Sequence, residues 1–150
     1  MSDLPLRQPS YRNCFVCGKD NPIGLKVEFY QRDNQVVTHF TPGPEHQGYP
    51  GRMHGGIASA LLDETIGRAA YIRGFWTFTM KFEVKYRKPI PLGEEITVVG
   101  EMTRDRGRVI EARGFVLLAD GSVAVEGSGF FVKLKPDELQ RLEEEVGPMD

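Results

Sequence analysis

One stretch near the middle of the chain, residues 52–72, constrains the fold most, because it joins an apolar helix pattern to a single inner carboxylate. Residues 57–62 are almost wholly apolar and small, and Asp63 follows them directly. A segment that is apolar nearly all round predicts a buried helix, here of about five turns. A carboxylate in such a helix is costly unless it is paired or used. Asp63 is therefore the first candidate functional residue.

Small residues share one face of this predicted helix. Gly56, Ser59, Asp63, Gly67 and Ala70 follow one another at spacings of three and four, so they line up along the helix. Apart from Asp63, every one of them is small. Two explanations stay open: either another backbone or a substrate approaches the helix closely along this face.

The bulk composition limits the class of protein. With 150 residues, of which 40% are hydrophobic and 27% charged, the chain fits a single domain over residues 1–150. The net charge of -2 argues against a nucleic-acid partner, and no apolar run reaches the length of a membrane span. The first ten residues lack an apolar signal core, so we expect a cytoplasmic protein with no membrane partner.

Alternating apolar residues and turn residues predict strands on both sides of the helix. Segregated helices and antiparallel strands indicate an α+β domain with a sheet of about six strands. A loose N-terminal arm is expected at residues 1–12, and a short helix with a tail at residues 135–150. The last strands carry apolar residues on both faces, which favours a partner chain. The predicted strands cover residues 25–30, 36–40, 75–87, 96–103, 109–118 and 122–134, and the terminal helix covers 136–146.

The two cysteines, Cys14 and Cys17, are spaced like half of a zinc site. His39, His46 and His54 could complete such a site only if the chain folded back on itself. A redox pair is a further alternative, but a thioredoxin-type motif lies between a strand and a helix, and this one precedes a strand. We therefore interpret the cysteines as structural thiols in a tight turn and expect no metal.

Several motifs together resemble one known family, the hotdog-fold acyl-CoA thioesterases of the PaaI-like group. The similarity covers roughly residues 13–134, most of the chain. It is strong for the fold and less specific for the activity, because one fold hosts several chemistries. The motifs are Cys14 to Gly18, Asn21 to Leu25, residues 46–51, His54-Gly55-Gly56, the helix with Asp63, the strand from Thr79 to Tyr86, and the turn from Lys88 to Gly93.

The resemblance implies an architecture and an activity. The expected fold is a curved antiparallel sheet wrapped around one long central helix, plus the short C-terminal helix. Family members pair through the long strand after the helix, so a homodimer or homotetramer is expected, with active sites at the dimer interface. The implied reaction is hydrolysis of an acyl-CoA thioester to the free acid and coenzyme A. Coenzyme A is then part of the substrate, and no separate cofactor is expected.

The resemblance also assigns roles to residues. Asp63 would act as general base for water or as the nucleophile itself. The backbone amides of Gly55 and Gly56 would hold the carbonyl oxygen, because the first N–H groups of a helix lack intrahelical partners and the dipole favours negative charge. Thr79, on the long strand, would orient the water or the carboxylate and would come from the opposite subunit.

The remaining candidates concern substrate contacts. His54 either helps to position the thioester or only begins the helix by bonding to backbone. Some relatives have an Asn six residues before this histidine, where the chain has Gly48, so the neighbouring Gln47 is a candidate that is out of register by one. Ser59 lies on the small face of the helix and is a further candidate. Basic residues for the phosphates of coenzyme A are Arg87, Lys88 and Arg106.

Alternatives to this interpretation stay open. Glu64 points about 100° away from Asp63 around the helix and is expected to pair with Arg68 four residues later; it is also the second candidate for the base. The chain could be a non-hydrolytic acyl or acyl-CoA binding protein, which would not need Asp63. A hotdog hydratase is a third possibility, although its pairing of histidine and acid is not found in the sequence.

Overall fold

The computed structural model describes residues 5–146 and Met149, so residues 1–4, 147–148 and 150 of the predicted arm and tail lie outside the described part. A central helix is followed by a 3-10 segment, and a second helix lies near the C-terminus. The helices are α1 at Gly55–Gly67, its 3-10 continuation at Arg68–Arg73, and α2 at Pro136–Val146; the strands are β1 at Leu6–Arg7, β2 at Tyr30–Arg32, β3 at Gln35–Phe40, β4 at Thr77–Tyr86, β5 at Ile96–Asp105, β6 at Val109–Leu117 and β7 at Val123–Lys133.

The strands form one antiparallel sheet of seven strands in the order β1-β2-β3-β5-β6-β7-β4. The predicted α+β class is therefore confirmed, with one strand more than expected. Strand β4 follows α1 in the chain but lies at the end of the sheet, where β7 is its one partner among the described strands. Among the described helices, none is both long enough and apolar enough to cross a bilayer.

The N-terminal segment differs from the expected loose arm in its described part. Leu6 and Arg7 pair with Gln31 and Tyr30 and add the seventh strand. Gln8 is only 1% exposed, because its amide bonds to Gln31 and to the 3-10 segment after α1. The expectation was wrong for residues 5–12, since polar side chains can be buried when neighbouring elements satisfy their hydrogen bonds.

The central helix begins later than predicted. His54 has extended backbone angles and is the N-cap, so Arg52 and Met53 belong to the preceding loop. The Met53 N–H donates to the Ile90 carbonyl at 2.8 Å, which holds this loop against the turn after β4. At the other end, Gly74 has a left-handed φ of 86° and ends the 3-10 segment, as a C-terminal glycine commonly does.

The predicted strand at residues 25–30 is irregular up to Phe29, and only Tyr30 belongs to a strand, β2. The expected alternation is present, since Leu25, Val27 and Phe29 are buried. Lys26, however, has a φ of 56°, which interrupts a regular strand. The Leu25 N–H donates to the Phe15 carbonyl at 2.8 Å, so this segment pairs with the N-terminal loop instead of entering the sheet ladder.

Three glycines in register provide the surface on which α1 lies. Gly100 of β5 pairs with Gly114 of β6, which pairs with Gly127 of β7. A Cβ at Gly114 would lie 2.6 Å from Cγ1 of Ile66, and one at Gly100 would lie 2.7 Å from the Thr65 carbonyl oxygen. The absent side chains let α1 approach the sheet backbone closely, and Ile66 is fully buried there.

Strand β4 lies along the small face of α1. Its side chains reach the helix at three levels: Tyr86 bonds to Ser59, Thr79 bonds to Asp63, and Thr77 bonds to the Gly67 carbonyl. The small face therefore accommodates side chains of β4, and the contacts along it do not show the close backbone approach that was one of the two explanations. A substrate that also uses part of this face stays a prediction.

Candidate active site

The carboxylate of Asp63 is paired with the hydroxyl of Thr79. Thr79 Oγ1 donates to Asp63 Oδ1 at 2.6 Å, and both residues line a small depression of about 220 Å³ together with Trp76 and Phe78. Asp63 is half-buried. Its second carboxylate oxygen has no protein partner among the described residues, so it is available to a water molecule or a substrate.

Burial raises the pKa of Asp63, because a charged carboxylate loses hydration inside the protein; the nearby charge of Glu64 acts in the same direction. The hydrogen bond from Thr79 opposes both effects and lowers the pKa, since it favours the charged form. A carboxylate with these surroundings is a stronger base than an exposed one, which suits the role expected for Asp63.

The expectation that Thr79 reaches Asp63 from another subunit was wrong within the described structure. Both residues belong to one chain, because β4 runs back along α1 after the turn at Gly74. Each chain therefore contains the complete hydrogen-bonded pair of Thr79 and Asp63.

The helix N-terminus is built differently from the expected pair of free amides. His54 caps α1: its Nδ1 accepts the Gly56 N–H at 2.8 Å. His54 is therefore a helix-entry residue, while a contact with the thioester stays a prediction, and the Gly56 N–H is not the free donor that was expected because the histidine occupies it. The Gly55 N–H has no hydrogen bond within the described residues, so it is the amide that a carbonyl oxygen could reach.

Tyr86 lies over Gly55, and sequence reasoning had not selected it as a site residue. Its hydroxyl donates to the Gly55 carbonyl at 2.9 Å and is 2.5 Å from Ser59 Oγ, which therefore donates to it. A Cβ at Gly55 would lie 3.1 Å from the tyrosine ring. Tyr86 is 57% exposed, since it lies at the end of an edge strand.

A groove of about 830 Å³ opens beside this helix N-terminus. The loop before α1 forms one wall, and the end of β4 with the turn that follows forms the other. Gln47, a predicted contact, lies in it, although its side-chain oxygen accepts the Gly51 N–H at 2.9 Å. Further lining residues that sequence reasoning missed are Tyr49, Arg52 and Tyr86.

The predicted basic residues are divided between two places. Arg87 and Lys88 line the groove, and Arg87 pairs with Glu126 at 2.8 Å. Arg106 instead pairs with Glu111 at 2.7 Å and lies with Arg108 in another depression. Within one chain, therefore, Arg106 is not brought together with the other two.

The two halves of the predicted site are separated along α1. Gly55 begins the helix and Asp63 is eight residues later, which at a rise of 1.5 Å per residue corresponds to about 12 Å. Asp63 lies in the small depression and Gly55 in the groove. One chain therefore cannot bring its own carboxylate and its own free amide to the same carbonyl group.

Glu64 lines the same depression as Asp63, but its carboxylate is bonded to Arg68. Arg68 Nε donates to its Oε1 at 3.2 Å, so the expected pair four residues apart is confirmed. Glu64 is therefore a weaker candidate for the base than Asp63, because a buried guanidinium already occupies one of its oxygens.

The sequence matches a family profile and several curated proteins. A sequence profile described as thioesterase superfamily matches residues 50–125. The acyl-coenzyme A thioesterase THEM4 of Rattus norvegicus is 30% identical over 87% of this chain and 57% of its own length. The chain thus spans about half the length of the curated relatives that it matches.

Solved structures share the fold. The thioesterase superfamily protein RHA08564 is 34% identical with a TM-score of 0.77, over 81% of this chain and 60% of that one. The PaaI protein of E. coli is 12% identical, with a TM-score of 0.69 over 74% of this chain and 81% of its own. A hypothetical thioesterase of Streptococcus pneumoniae, solved with coenzyme A, is 20% identical, with a TM-score of 0.67 over 71% and 87%.

These likenesses confirm the expected hotdog arrangement of an antiparallel sheet around one long helix. The matched region includes α1 with Asp63, strand β4 and the groove lining from Arg52 onward, but not Gln47, Gly48 and Tyr49. Since the profile covers half of the chain, the protein belongs to the thioesterase superfamily.

Proposed function

We propose that the protein hydrolyses acyl-CoA thioesters at a site shared by two copies of the chain. The observation that carries the proposal is the division of α1 into two complementary ends. One end offers a free amide beside a large groove, and the other offers a carboxylate bonded to a hydroxyl. The curated relatives are named acyl-coenzyme A thioesterases, which supports this substrate class.

The chemistry needs few groups. The leaving thiol has a pKa near 8.5, so it departs without strong acid catalysis. Asp63 takes a proton from water as the water attacks the thioester carbonyl, or attacks that carbonyl itself. The Gly55 N–H stabilises the oxyanion that develops on the carbonyl oxygen. When water attacks, the C–S bond then breaks, the acid is released and the departing thiolate takes up the proton held by Asp63. When Asp63 attacks, breakage of the C–S bond releases the thiolate and leaves a mixed anhydride on Asp63, which water hydrolyses to the free acid and the native carboxylate.

The edge strand β4 supports a two-fold dimer. Three of the large exposed apolar side chains, Phe78, Met80 and Tyr86, lie on it. If β4 pairs antiparallel with its copy, the end with Tyr86 faces the partner's end with Thr79. Tyr86 bonds to Gly55, and Thr79 bonds to Asp63. The pairing therefore brings Gly55 towards Asp63 of the partner subunit, and a tetramer would be two such dimers.

The groove supports coenzyme A as the carrier of the acyl group. Arg52, Arg87 and Lys88 line it and offer positive charge to phosphate groups. Two structural neighbours, from Streptococcus mutans and Streptococcus pneumoniae, were solved with acetyl CoA and coenzyme A. We infer a cytoplasmic location, where such thioesters are available to a hydrolase.

The spacing of two residues in a structural neighbour gives further support. The Streptococcus pneumoniae protein was solved as two alanine mutants, one of an aspartate and one of a threonine, whose positions are 16 residues apart. Asp63 and Thr79 have the same separation of 16 residues. We therefore assign the joint role in catalysis to this pair.

A mixed dimer tests the shared site. Gly55→Pro removes the N–H, and proline is tolerated at the first position of a helix after a residue with extended angles such as His54. Loss of one oxyanion donor should lower kcat by about 10²–10³-fold. Co-expression of Gly55→Pro with Asp63→Asn, each with its own affinity tag, yields heterodimers in which one site has both native groups.

We expect thiol release from acyl-CoA to be nearly absent in both homodimers and restored in the heterodimer to about half of the native rate per dimer, since one of two sites is intact. Gly55→Ala is the matched control, because it places the same Cβ against Tyr86 but keeps the N–H. An inactive heterodimer would refute the shared site. Absence of turnover in the native protein, with coenzyme A still bound, would favour the binding protein.

A further inference from the structure

A second polar cluster lies where the N-terminal loop crosses α1, outside the groove and not explained by the hydrolase site. It contains two thiols, one carboxylate and one guanidinium, from Cys14, Cys17, Glu64 and Arg68. Cys17 is 3% exposed, and so is the Arg68 side chain, whereas Cys14 and Glu64 are partly exposed. Solvent can therefore reach this cluster from the side of Cys14 and Glu64.

The turn that presents the two sulfurs is tightly closed. The Gly18 N–H donates to the Cys14 carbonyl at 2.8 Å, which places the cysteines three residues apart within one helical turn. A Cβ at Gly18 would lie 2.3 Å from the Arg12 carbonyl oxygen, so only glycine fits there. The expected tight turn is confirmed, and it directs both sulfurs towards α1.

The donor atoms have the separations of a tetrahedral metal site. Glu64 Oε1 lies 3.8 Å from Cys14 Sγ and 3.7 Å from Cys17 Sγ, and all three donor atoms lie within 4.8 Å of one another. Zinc bonds of about 2.3 Å to sulfur and about 2.0–2.2 Å to oxygen, at tetrahedral angles, require a sulfur–oxygen separation of roughly 3.5–3.7 Å. We propose that Cys14, Cys17 and Glu64 bind one zinc ion, with water as the fourth ligand.

The position of Arg68 fits an outer-shell role. Its Nη2 donates to Cys17 Sγ at 3.1 Å and its Nε donates to Glu64 Oε1 at 3.2 Å, so it holds two of the three donor atoms in place. The charges also balance, because two thiolates and one carboxylate offset the two charges of the ion and the one of the guanidinium. Without an ion, the two sulfurs are thiols that donate weak hydrogen bonds to Glu64 Oε1, and the Arg68 guanidinium offsets the single charge of that carboxylate.

The histidines considered from the sequence are engaged elsewhere. His39 bonds to Thr97, His46 to the Gly43 N–H, and His54 to the Gly56 N–H. Within residues 5–146 and 149, the group of convergent metal donors comprises only the two cysteines and Glu64. Two soft thiolates select zinc over magnesium or calcium, which prefer oxygen ligands alone.

A cobalt titration of the full chain tests the proposal without reference to enzyme activity. The purified protein is stripped with a chelator under reducing conditions, titrated with Co²⁺ and then with Zn²⁺. We expect one equivalent of Co²⁺ to produce a thiolate-to-cobalt absorption band with tetrahedral d–d bands, and Zn²⁺ to displace it. Zinc measured in protein purified without chelator should approach one ion per chain.

The variants separate the ligands from their surroundings. Cys14→Ser and Cys17→Ser should abolish the thiolate band, while circular dichroism checks that each variant is folded. Loss of an outer-shell partner weakens metal affinity by about 10–100-fold, so we expect Arg68→Met to fall in this range and Glu64→Gln to exceed it. Glu101→Gln is the matched control, since Glu101 is similarly exposed and also pairs with an arginine.

Two results would overturn the proposal. One is a folded, reduced native protein that gives no thiolate band at saturating Co²⁺, including the case in which the cysteines are found joined as a disulfide. The other is an affinity that Glu64→Gln leaves at the native value, which would remove the carboxylate from the site. The shared thioesterase site is tested separately, because the mixed dimer uses substitutions of Gly55 and Asp63 and leaves Cys14, Cys17 and Glu64 native.

Discussion

Asp63 shows how a single residue can be costly for folding and still be retained in a buried helix. Partial burial disfavours its charge, and among the described residues the hydrogen bond that its carboxylate accepts comes from Thr79. Within that part of the chain its second oxygen has no ion-pair partner, although Arg68 lines the same depression. A purely structural carboxylate would be expected to have a charged partner, so this environment favours a chemical role.

Replacement of Asp63 by asparagine should therefore separate activity from stability. The amide still accepts the Thr79 hydrogen bond but cannot take a proton from water, so kcat should fall by about 10²–10⁴-fold. The free energy of unfolding should stay equal or rise, because a partly buried charge is removed. Urea denaturation and a thiol-release assay measure both quantities. Asp137→Asn, at an exposed position on α2, is the control, and retained activity in Asp63→Asn would exclude the proposed role.

His54 is expected to act on stability through the helix cap. His54→Ala removes the acceptor for the Gly56 N–H and should lower the free energy of unfolding by about 1 kcal/mol. His54→Asn keeps an N-cap acceptor and should restore most of the loss. Urea denaturation checks the expectation. If His54→Ala instead lost activity at unchanged stability, the histidine would have to contact the thioester directly.

At the scale of elements, the contact between α1 and three glycines of the sheet decides how close the helix lies to the strands. The glycines of β5, β6 and β7 are spread over nearly thirty residues of sequence, yet they are direct neighbours in the sheet. Close packing of this kind leaves no room for a methyl group, and the helix orientation that aims Asp63 at β4 depends on it.

Two glycine-to-alanine substitutions should therefore have opposite effects on stability. At Gly114 a Cβ would lie 2.4 Å from the Val99 carbonyl oxygen and 2.6 Å from Ile66, so overpacking should cost about 1–3 kcal/mol. At Gly67, within α1, a Cβ would meet its neighbours at 3.5 Å, and alanine should stabilise the helix by up to about 1 kcal/mol. Thermal and urea unfolding compare the two. If both substitutions changed the free energy of unfolding equally, this account of the packing between α1 and the sheet would be wrong.

At the scale of the whole molecule, β4 has two roles. One edge of β4 pairs with β7, and side chains of β4 cover α1. Its other side is open at the end of the sheet, and the strand exposes Phe78, Met80 and Tyr86 together with three charged residues. Large apolar side chains exposed on an open edge strand are most simply explained by a second copy of the same strand.

Met80→Asp should weaken that association. Met80 is 58% exposed near the middle of β4, where a two-fold axis would bring both copies together, so two new carboxylates would repel each other. The dissociation constant of the dimer should rise by about tenfold or more, equivalent to about 1.4 kcal/mol. Sedimentation measures it, and activity per chain should fall on dilution. Ile23→Asp, at an exposed loop residue, is the control. An unchanged assembly would exclude this edge as the interface.

Local patterns were sufficient for the parts of the protein that depend on nearby residues. The period of apolar residues predicted α1 and the long strands, and the His-Gly-Gly motif indicated the helix start to within three residues. The Glu64–Arg68 pair followed from helical spacing alone. These features succeed because their interactions connect residues within a few positions of one another.

What depended on the tertiary structure was every contact between distant segments. The pairing of Thr79 with Asp63 in one chain, the occupation of the Gly56 N–H, the position of Tyr86 over Gly55 and the convergence of Glu64 on the two cysteines all required the folded arrangement. Sequence pattern determined which groups this protein carries and on which elements. Only the close packing of α1 against the sheet and the N-terminal loop decided which of those groups meet, because side chains interact over a few ångströms and not along the sequence.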